Sequence, residues 1–189
     1  MCGRYAMFTG DEYDEIRRVI EKMNQNYTAA EYRIGEIYPT NTVPVLIQQE
    51  KPDLMTWGFP NFKKKGSIIN ARSETALEKK MFYQPLLHRR CVIPSTGFYE
   101  WSQNKPKTKY LFQIPQQHVL YMAGIYHEYQ GKNRFVILTT QANDSIAEIH
   151  NRMPLILLPD KLTRWIEDTD FALSYLHAIP PELEKIPVK

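Results

Sequence analysis

An α+β fold around an antiparallel sheet or open barrel is predicted for this chain by three observations. Strand-like segments outnumber helical ones, they follow one another with few βαβ alternations, and the helical stretches between them are short. With 189 residues, 43% hydrophobic and 24% charged, the chain has the size and balance of one globular domain, 1–189, able to bury a core.

The elements follow in order. Thr9-Gly10-Asp11-Glu12 reads as a capping box, and Ile16, Val19, Ile20 and Met23 then fall on one face of a helix. The segments 43–48, 110–114, 119–126 and 134–140 are rich in β-branched and aromatic residues and read as strands. Gln130-Gly131-Lys132-Asn133 suits a hairpin turn between the last two. Short helices are expected over 74–83, 143–149 and 159–167, the last with Pro159 in its first turn. The end of the chain, 178–189, holds three prolines and is expected to be irregular.

Several classes of protein are excluded or disfavoured. No apolar run approaches the roughly 20 residues that span a bilayer, and Met1-Cys2-Gly3-Arg4-Tyr5 lacks the apolar stretch of a signal peptide. An intracellular, cytoplasmic protein without a membrane partner is expected. The net charge of +3 permits nucleic-acid binding without arguing for it. Lys63-Lys64-Lys65 and Arg89-Arg90 are the local basic runs, and a solvated surface is the commoner reading of such runs. The two cysteines, Cys2 and Cys91, offer no framework of bridges. No CxxC and no close histidine pair supports zinc, so neither a metal nor a cofactor is expected.

Chemistry concentrates at a few positions. Cys2 follows the initiator Met, and a residue that small favours removal of Met1. The product is a 1,2-aminothiol whose amine (reference pKa about 7.7–8.0) and thiol (about 8.5) are both partly nucleophilic near neutrality. It can condense with an aldehyde to a Schiff base and close to a thiazolidine. The plain alternative is a chance residue at a frayed end. Gly3 allows close backbone approach, and Arg4 can hold a phosphate. Asn70 sits where a strand gives way to a helix and can orient an amine or serve as a cap, while Arg72 can fork onto phosphate. Glu100 lies among Phe98, Tyr99 and Trp101, where lost hydration suits a carboxyl to acid–base work, or it points to solvent by strand alternation. Cys91 reads as a packed core thiol. His150, near a helix end before Pro154, can shuttle protons or sit exposed.

Cys2-Gly3-Arg4-Tyr5, Asn70-Ala71-Arg72-Ser73-Glu74, Pro94-x-x-Gly97-Phe98-Tyr99-Glu100-Trp101 and His150-x-Arg152-Met153-Pro154 stand in that order. As a set they resemble the SOS response-associated peptidase (SRAP) family of abasic-site processing proteins, from residue 2 to about 158. Tyr38-Pro39-Thr40 and Trp57-Gly58 are also similar to the family pattern. The resemblance implies a mainly antiparallel, barrel-like fold with a cleft for single-stranded DNA, entered by a monomer. It implies that Cys2, unmasked by loss of Met1, crosslinks to the ring-opened sugar of an abasic site. Carried across, Asn70 orients the amine, Glu100 moves protons, and His150 helps open the sugar. Arg4, Arg72 and Arg152 hold phosphates, Trp57 or Trp101 stacks on a base, Thr139 adds a hydrogen bond, and Pro39 lines the strand. Three phosphate contacts would give a salt slope near −2, at about 0.7 each. An N-terminal-nucleophile thiol peptidase, or a non-catalytic reader of modified DNA, are the other functions these residues allow.

Overall fold

The computed structural model describes residues 2–48 and 51–188. β1 (Tyr5–Met7) leads to α1 (Asp14–Met23), β2 (Gly35–Ile37), β3 (Thr42–Gln48) and β4 (Lys51–Trp57). The two-residue strands β5 (Phe59–Pro60) and β6 (Ser67–Ile68) form a small hairpin before β7 (Asn70–Arg72). A tight turn of helix, Ser73–Glu78, precedes α2 (Lys80–His88). β8 (Arg90–Ser95), β9 (Gly97–Trp101), β10 (Lys109–Gln113), β11 (Leu120–Tyr129) and β12 (Lys132–Gln141) carry most of the sheet. α3 (Asp144–Ala147), β13 (Arg152–Pro154), β14 (Ile156–Leu157), α4 (Leu162–Glu167), α5 (Thr169–Tyr175) and β15 (Glu184–Val188) complete the chain.

Five strands close a barrel in the order β12, β4, β3, β8, β11 and back to β12. Most pairings are antiparallel, but β4 and β7 both run parallel to β12. A second sheet, β15-β10-β9-β1-β2, packs against the barrel. The two are joined where β8 passes into β9. Gly97 makes this crossing with φ +139°, and a Cβ there would lie 2.7 Å from the Phe112 carbonyl oxygen, so no other residue fits.

β8 is buried on both faces. Cys91 and Ile93 join a core with Tyr5, Trp57, Phe98, Phe112 and Phe135, between barrel and second sheet. Val92 joins the other core, under α2, α4 and α5, with Leu86 and Trp165. Two-sided burial gives β8 its unbroken run of buried residues. Arg90 ties the helices to this strand. Its guanidinium, 4% exposed, donates to the carbonyls of Leu86 and Leu87 at the end of α2 and of Trp165 and Ile166 in α4, at 2.6–2.9 Å. These carbonyls lie in the last turns of their helices, where a cation also suits the helix dipole. Arg90 is therefore a structural tie and does not belong to a phosphate-binding run.

The structure corrects several local expectations. α1 forms on the predicted face, with Ile16 and Met23 buried, but no side chain caps it and it starts at Asp14. The helix expected over 74–83 is split at Lys79, whose extended backbone separates the first turn from α2. The hairpin turn is only Gln130-Gly131, both at positive φ, with Lys132 already opposite Tyr129. The end of the chain is not irregular over 184–188: β15 pairs with β10 along five residues. Its Pro187 is tolerated because β15 is an edge strand. Among the described residues no helix is long and apolar enough to cross a membrane.

Replacing Arg90 with Leu strands four carbonyls. Thermal unfolding should show a loss of about 3 kcal/mol, a fall of roughly 6–12 °C in Tm for a chain of this size. Arg90→Lys, which keeps the charge but not the fork, should fall between the two. An unchanged Tm for Arg90→Leu would remove the tie from the account of the fold.

Candidate functional site

The N-terminal strand builds the first half of the site. β1 lies between β9 and β2, with Tyr5 opposite both Phe98 and Ile37. The pairing continues one step towards the N-terminus, where the Tyr99 N–H donates to the Arg4 carbonyl at 2.9 Å. Cys2 is thereby carried to the Glu100 end of β9. Its thiol is fully buried and makes one weak contact, to the Arg4 carbonyl at 3.9 Å. Burial first, then the negative charge of Glu100, push the thiol pKa well above its ordinary value. At neutral pH the thiol is therefore protonated, and a base must take its proton before sulfur can attack. Glu100, itself 6% exposed, is the carboxylate whose charge bears on it. Its placement resolves the sequence alternatives in favour of a buried carboxyl.

Arg4 turns outward beside this pair. Its guanidinium lies 4.2 Å from the Tyr38 ring centre and 4.8 Å from that of Trp101, with Glu36 bonded at 3.0 Å. Lys109 reaches the same Glu36 oxygen at 2.7 Å and sits over Tyr99. Pro39 occupies the turn that presents Tyr38. Asn41 closes that turn through its side chain to the Tyr38 N–H, and Thr40 takes φ +73°. Trp101 is half-buried in this cluster, and Tyr38, 43% exposed, is an aromatic that reading by residue type did not single out. Its signal was the exposed Tyr-Pro-Thr turn next to a charged strand.

The second half comes from β7, β12 and the α3–β13 corner. β7 lies parallel to β12, with Asn70 opposite Ile137 and Arg72 opposite Thr139. Both amide atoms of Asn70 are buried without a hydrogen-bond partner, as are Tyr5 Oη and Ser73 Oγ. Leaving such groups unpaired costs about 1–3 kcal/mol each. Arg72 is exposed. His150 Nδ1 accepts the obligate donor N–H of Arg152 at 3.0 Å, which places the neutral ring's proton on Nε2.

The two halves meet in two ways. The Trp57 ring packs 5.3 Å from Tyr5, while its indole N–H donates to the Ile69 carbonyl, one residue before Asn70. A cavity of about 420 Å³ is lined by both His150 and Gln103, three residues beyond Glu100. A second cavity, about 440 Å³, runs from Arg72 to Asn151 and shares Ala147 and Asn151 with the first. They form one groove from Arg72 past His150 to the end of β9.

Three expected DNA contacts do not reach this groove as free groups. Trp57 is fully buried, so no base can stack on it. Arg152 is 9% exposed, forked onto Glu74 at 2.6 and 2.9 Å and bonded to the Thr139 carbonyl at 2.5 Å. Its charge is spent inside the protein. Thr139 is fully buried and donates to the Ala71 carbonyl at 3.5 Å. Each holds β7, β12 and β13 in register, and through them Asn70 and His150.

A mixed β-barrel packed against a second sheet, with a buried thiol just before β1 and a buried carboxyl on β9, the strand that β1 pairs with, defines a class of thiol-bearing β proteins. The chain belongs to the SRAP family: the model described as "SOS response associated peptidase (SRAP)" matches residues 1–189. It is 32% identical, over 95% of its length and 86% of the relative's, to abasic site processing protein YoqW of Bacillus subtilis. It is 28% identical, over 88% of its length and 79% of the relative's, to abasic site processing protein YedK of Escherichia coli. A crystal structure of a Bacteroides thetaiotaomicron protein matches its fold with a TM-score of 0.79 at 22% identity, covering 100% of this chain and 92% of that one.

Two measurements check the packing of the site. The Arg152 fork holds the Glu74 carboxyl below its ordinary value of 4.5. A depressed carboxyl stabilises the fold above that value and loses its contribution as pH falls through the folded-state value. Urea unfolding of Glu74→Gln should therefore lose the part of the acid dependence that begins below 4.5; an identical pH dependence would refute the pairing. Tyr5→Phe deletes a buried hydroxyl that bonds nothing and should raise stability by about 1 kcal/mol in the same assay.

Proposed function

We propose that this chain captures abasic sites in single-stranded DNA through a covalent bond to Cys2, and so shields them during the response to DNA damage. The observation that carries the reading is the Cys2 thiol, buried beside the pairing of β1 with β9 and under the influence of the Glu100 charge. Family membership and the names of the relatives support the substrate.

Loss of Met1, by the chain's own activity or by an aminopeptidase, frees the Cys2 amine. The abasic sugar opens to its aldehyde as the proton of its anomeric hydroxyl moves, through water, to the ring oxygen, with the His150 Nε2–H hydrogen-bonding to that oxygen as the C–O bond breaks. The amine adds to the aldehyde carbon, and loss of one water gives the Schiff base. Sulfur then adds to the same carbon and closes the thiazolidine. The thiol proton passes through Glu100 to the imine nitrogen, so one water is the sole by-product. Because the charge of Glu100 opposes thiolate formation, accepting that proton also removes the repulsion. Asn70, with its amide unengaged in the fold, holds the amine. Arg72 and Arg4 meet phosphates on either side, and Trp101 and Tyr38 offer faces to the bases. The protein acts as a single chain, and no step calls for a metal or cofactor.

Intact mass of the protein after incubation with an abasic oligonucleotide tests this directly. The adduct should weigh protein plus strand less one water, and Cys2→Ala should yield none. An adduct on Cys2→Ala, or none on the processed wild type, overturns the reading. Glu100→Gln and Asn70→Ala should slow capture on the order of 100-fold. With Arg152 withdrawn into the fold, Arg4 and Arg72 alone should give short strands a salt slope of about −1.4 rather than −2.

A further inference from the structure

At the far end of the barrel from Asn70, a ladder of rings and cations, exposed at Phe62 and half-buried at Tyr129 and His127, has no part in the capture chemistry. The β5–β6 hairpin carries Phe62, 82% exposed, followed by Lys63, Lys64 and Lys65, all exposed. The loop is shaped by Asn61, whose side-chain oxygen accepts the N–H groups of Lys63 and Lys64 at 3.1 and 3.2 Å. Phe62 sits 6.3 Å from the ring of Tyr129, and Tyr129 sits 5.1 Å from His127. Tyr129 is anchored from below by the fully buried Phe59, at 5.3 Å. His127 in turn accepts from the exposed Arg89 at 2.9 Å. Lys132 lies across the hairpin from Tyr129. Glu128, the acid on this stretch of β11, alternates to the opposite face.

An exposed aromatic flanked by unopposed lysines is poor design for a solvated loop alone. Aromatic faces in a row, interleaved with cations, match a strand of stacked bases between phosphates. The position suits an extension of the same strand. Along β12, Lys132 is five residues from Ile137, the neighbour of Asn70, or roughly 17 Å at about 3.4 Å per residue.

We infer that the ladder of Phe62, Lys63–Lys65, Tyr129, His127 and Arg89 is a second binding surface for single-stranded nucleic acid, engaging the flank of the strand whose abasic site lies at Cys2. The inference rests on the capture reading for the identity of the strand, but its test does not use capture. The ladder grips any base sequence, because it offers ring faces and charge and no groove that reads base edges.

The test uses the full chain carrying Cys2→Ala, which cannot form the adduct, and undamaged thymidine strands. One strand has about 20 nucleotides and the other about 6, near the lower size for a single groove. Replacing Lys63, Lys64 and Lys65 together with Ala should weaken binding of the long strand about tenfold near 0.15 M salt and reduce its salt slope by about 2, at about 0.7 per lysine, leaving the short strand unaffected. Phe62→Ala should weaken the long strand about fivefold or more by loss of a stacking face. All these residues are exposed or lie in the loop, so the variants should unfold at the wild-type temperature. Equal affinities of wild type and variants for the long strand overturn the inference. So does a loss that is the same for both strands, or a lysine-dependent binding to phosphatidylserine vesicles with no effect on DNA. If the processed wild type forms no adduct with an abasic strand while the lysine variant still loses the long strand, the capture reading fails and the ladder stands.

Discussion

The site depends on three residues of backbone pairing. β1 is short, yet it is the central strand between β9 and β2 rather than an edge. Both rows of its backbone groups are engaged, and all three of its side chains are buried. A chain end normally frays for want of partners. Here the ladder on both sides holds the segment, so the position of Cys2 follows from the register of β1 on β9. Shifting that register by one residue would turn Tyr5 away from Trp57 and separate Cys2 from Glu100.

The interior polar network serves the same end from the other side. Arg152 reaches 78 positions back along the chain to Glu74 and at the same time binds the Thr139 carbonyl. Losing Glu74 would be costly, because Arg152, unlike its more exposed partner, would be left buried with its charge unpaired. The pair fixes the corner from which His150 emerges, and it joins that corner to the strand bearing Asn70. Residues that resemble ligand contacts by type thus act as the frame on which the contacts are mounted. Arg90 does the equivalent work for the helices.

How much of this was legible in the sequence depends on whether the deciding contact is local. The helix face of α1 and the four strands are set by periodicity, and they are where expected; the hairpin turn falls in the expected stretch but is only two residues long, Gln130-Gly131. β15 was not legible, because a proline-bearing segment becomes a strand only when an edge such as β10 is offered to it. Nor was α5, a seven-residue helix held by the side-chain cap of Asp168. At the site, Cys2, Asn70, Glu100 and His150 stood out by residue type and order. The burial of Trp57, Thr139 and Arg152 did not, since an arginine facing phosphate and one facing Glu74 look alike until the two ends of a long loop are brought together.

The central position of β1 also has a consequence in time. Residues 5–7 are made well before β9, which ends at Trp101, so during that interval half of their hydrogen-bond partners do not yet exist. At roughly 5–20 residues per second, synthesis reaches β9 only after about 5–20 s. Throughout that interval Cys2 cannot occupy its buried place. The topology therefore leaves a window during translation in which the segment before β1 stays uncovered, and shuts it when β9 arrives.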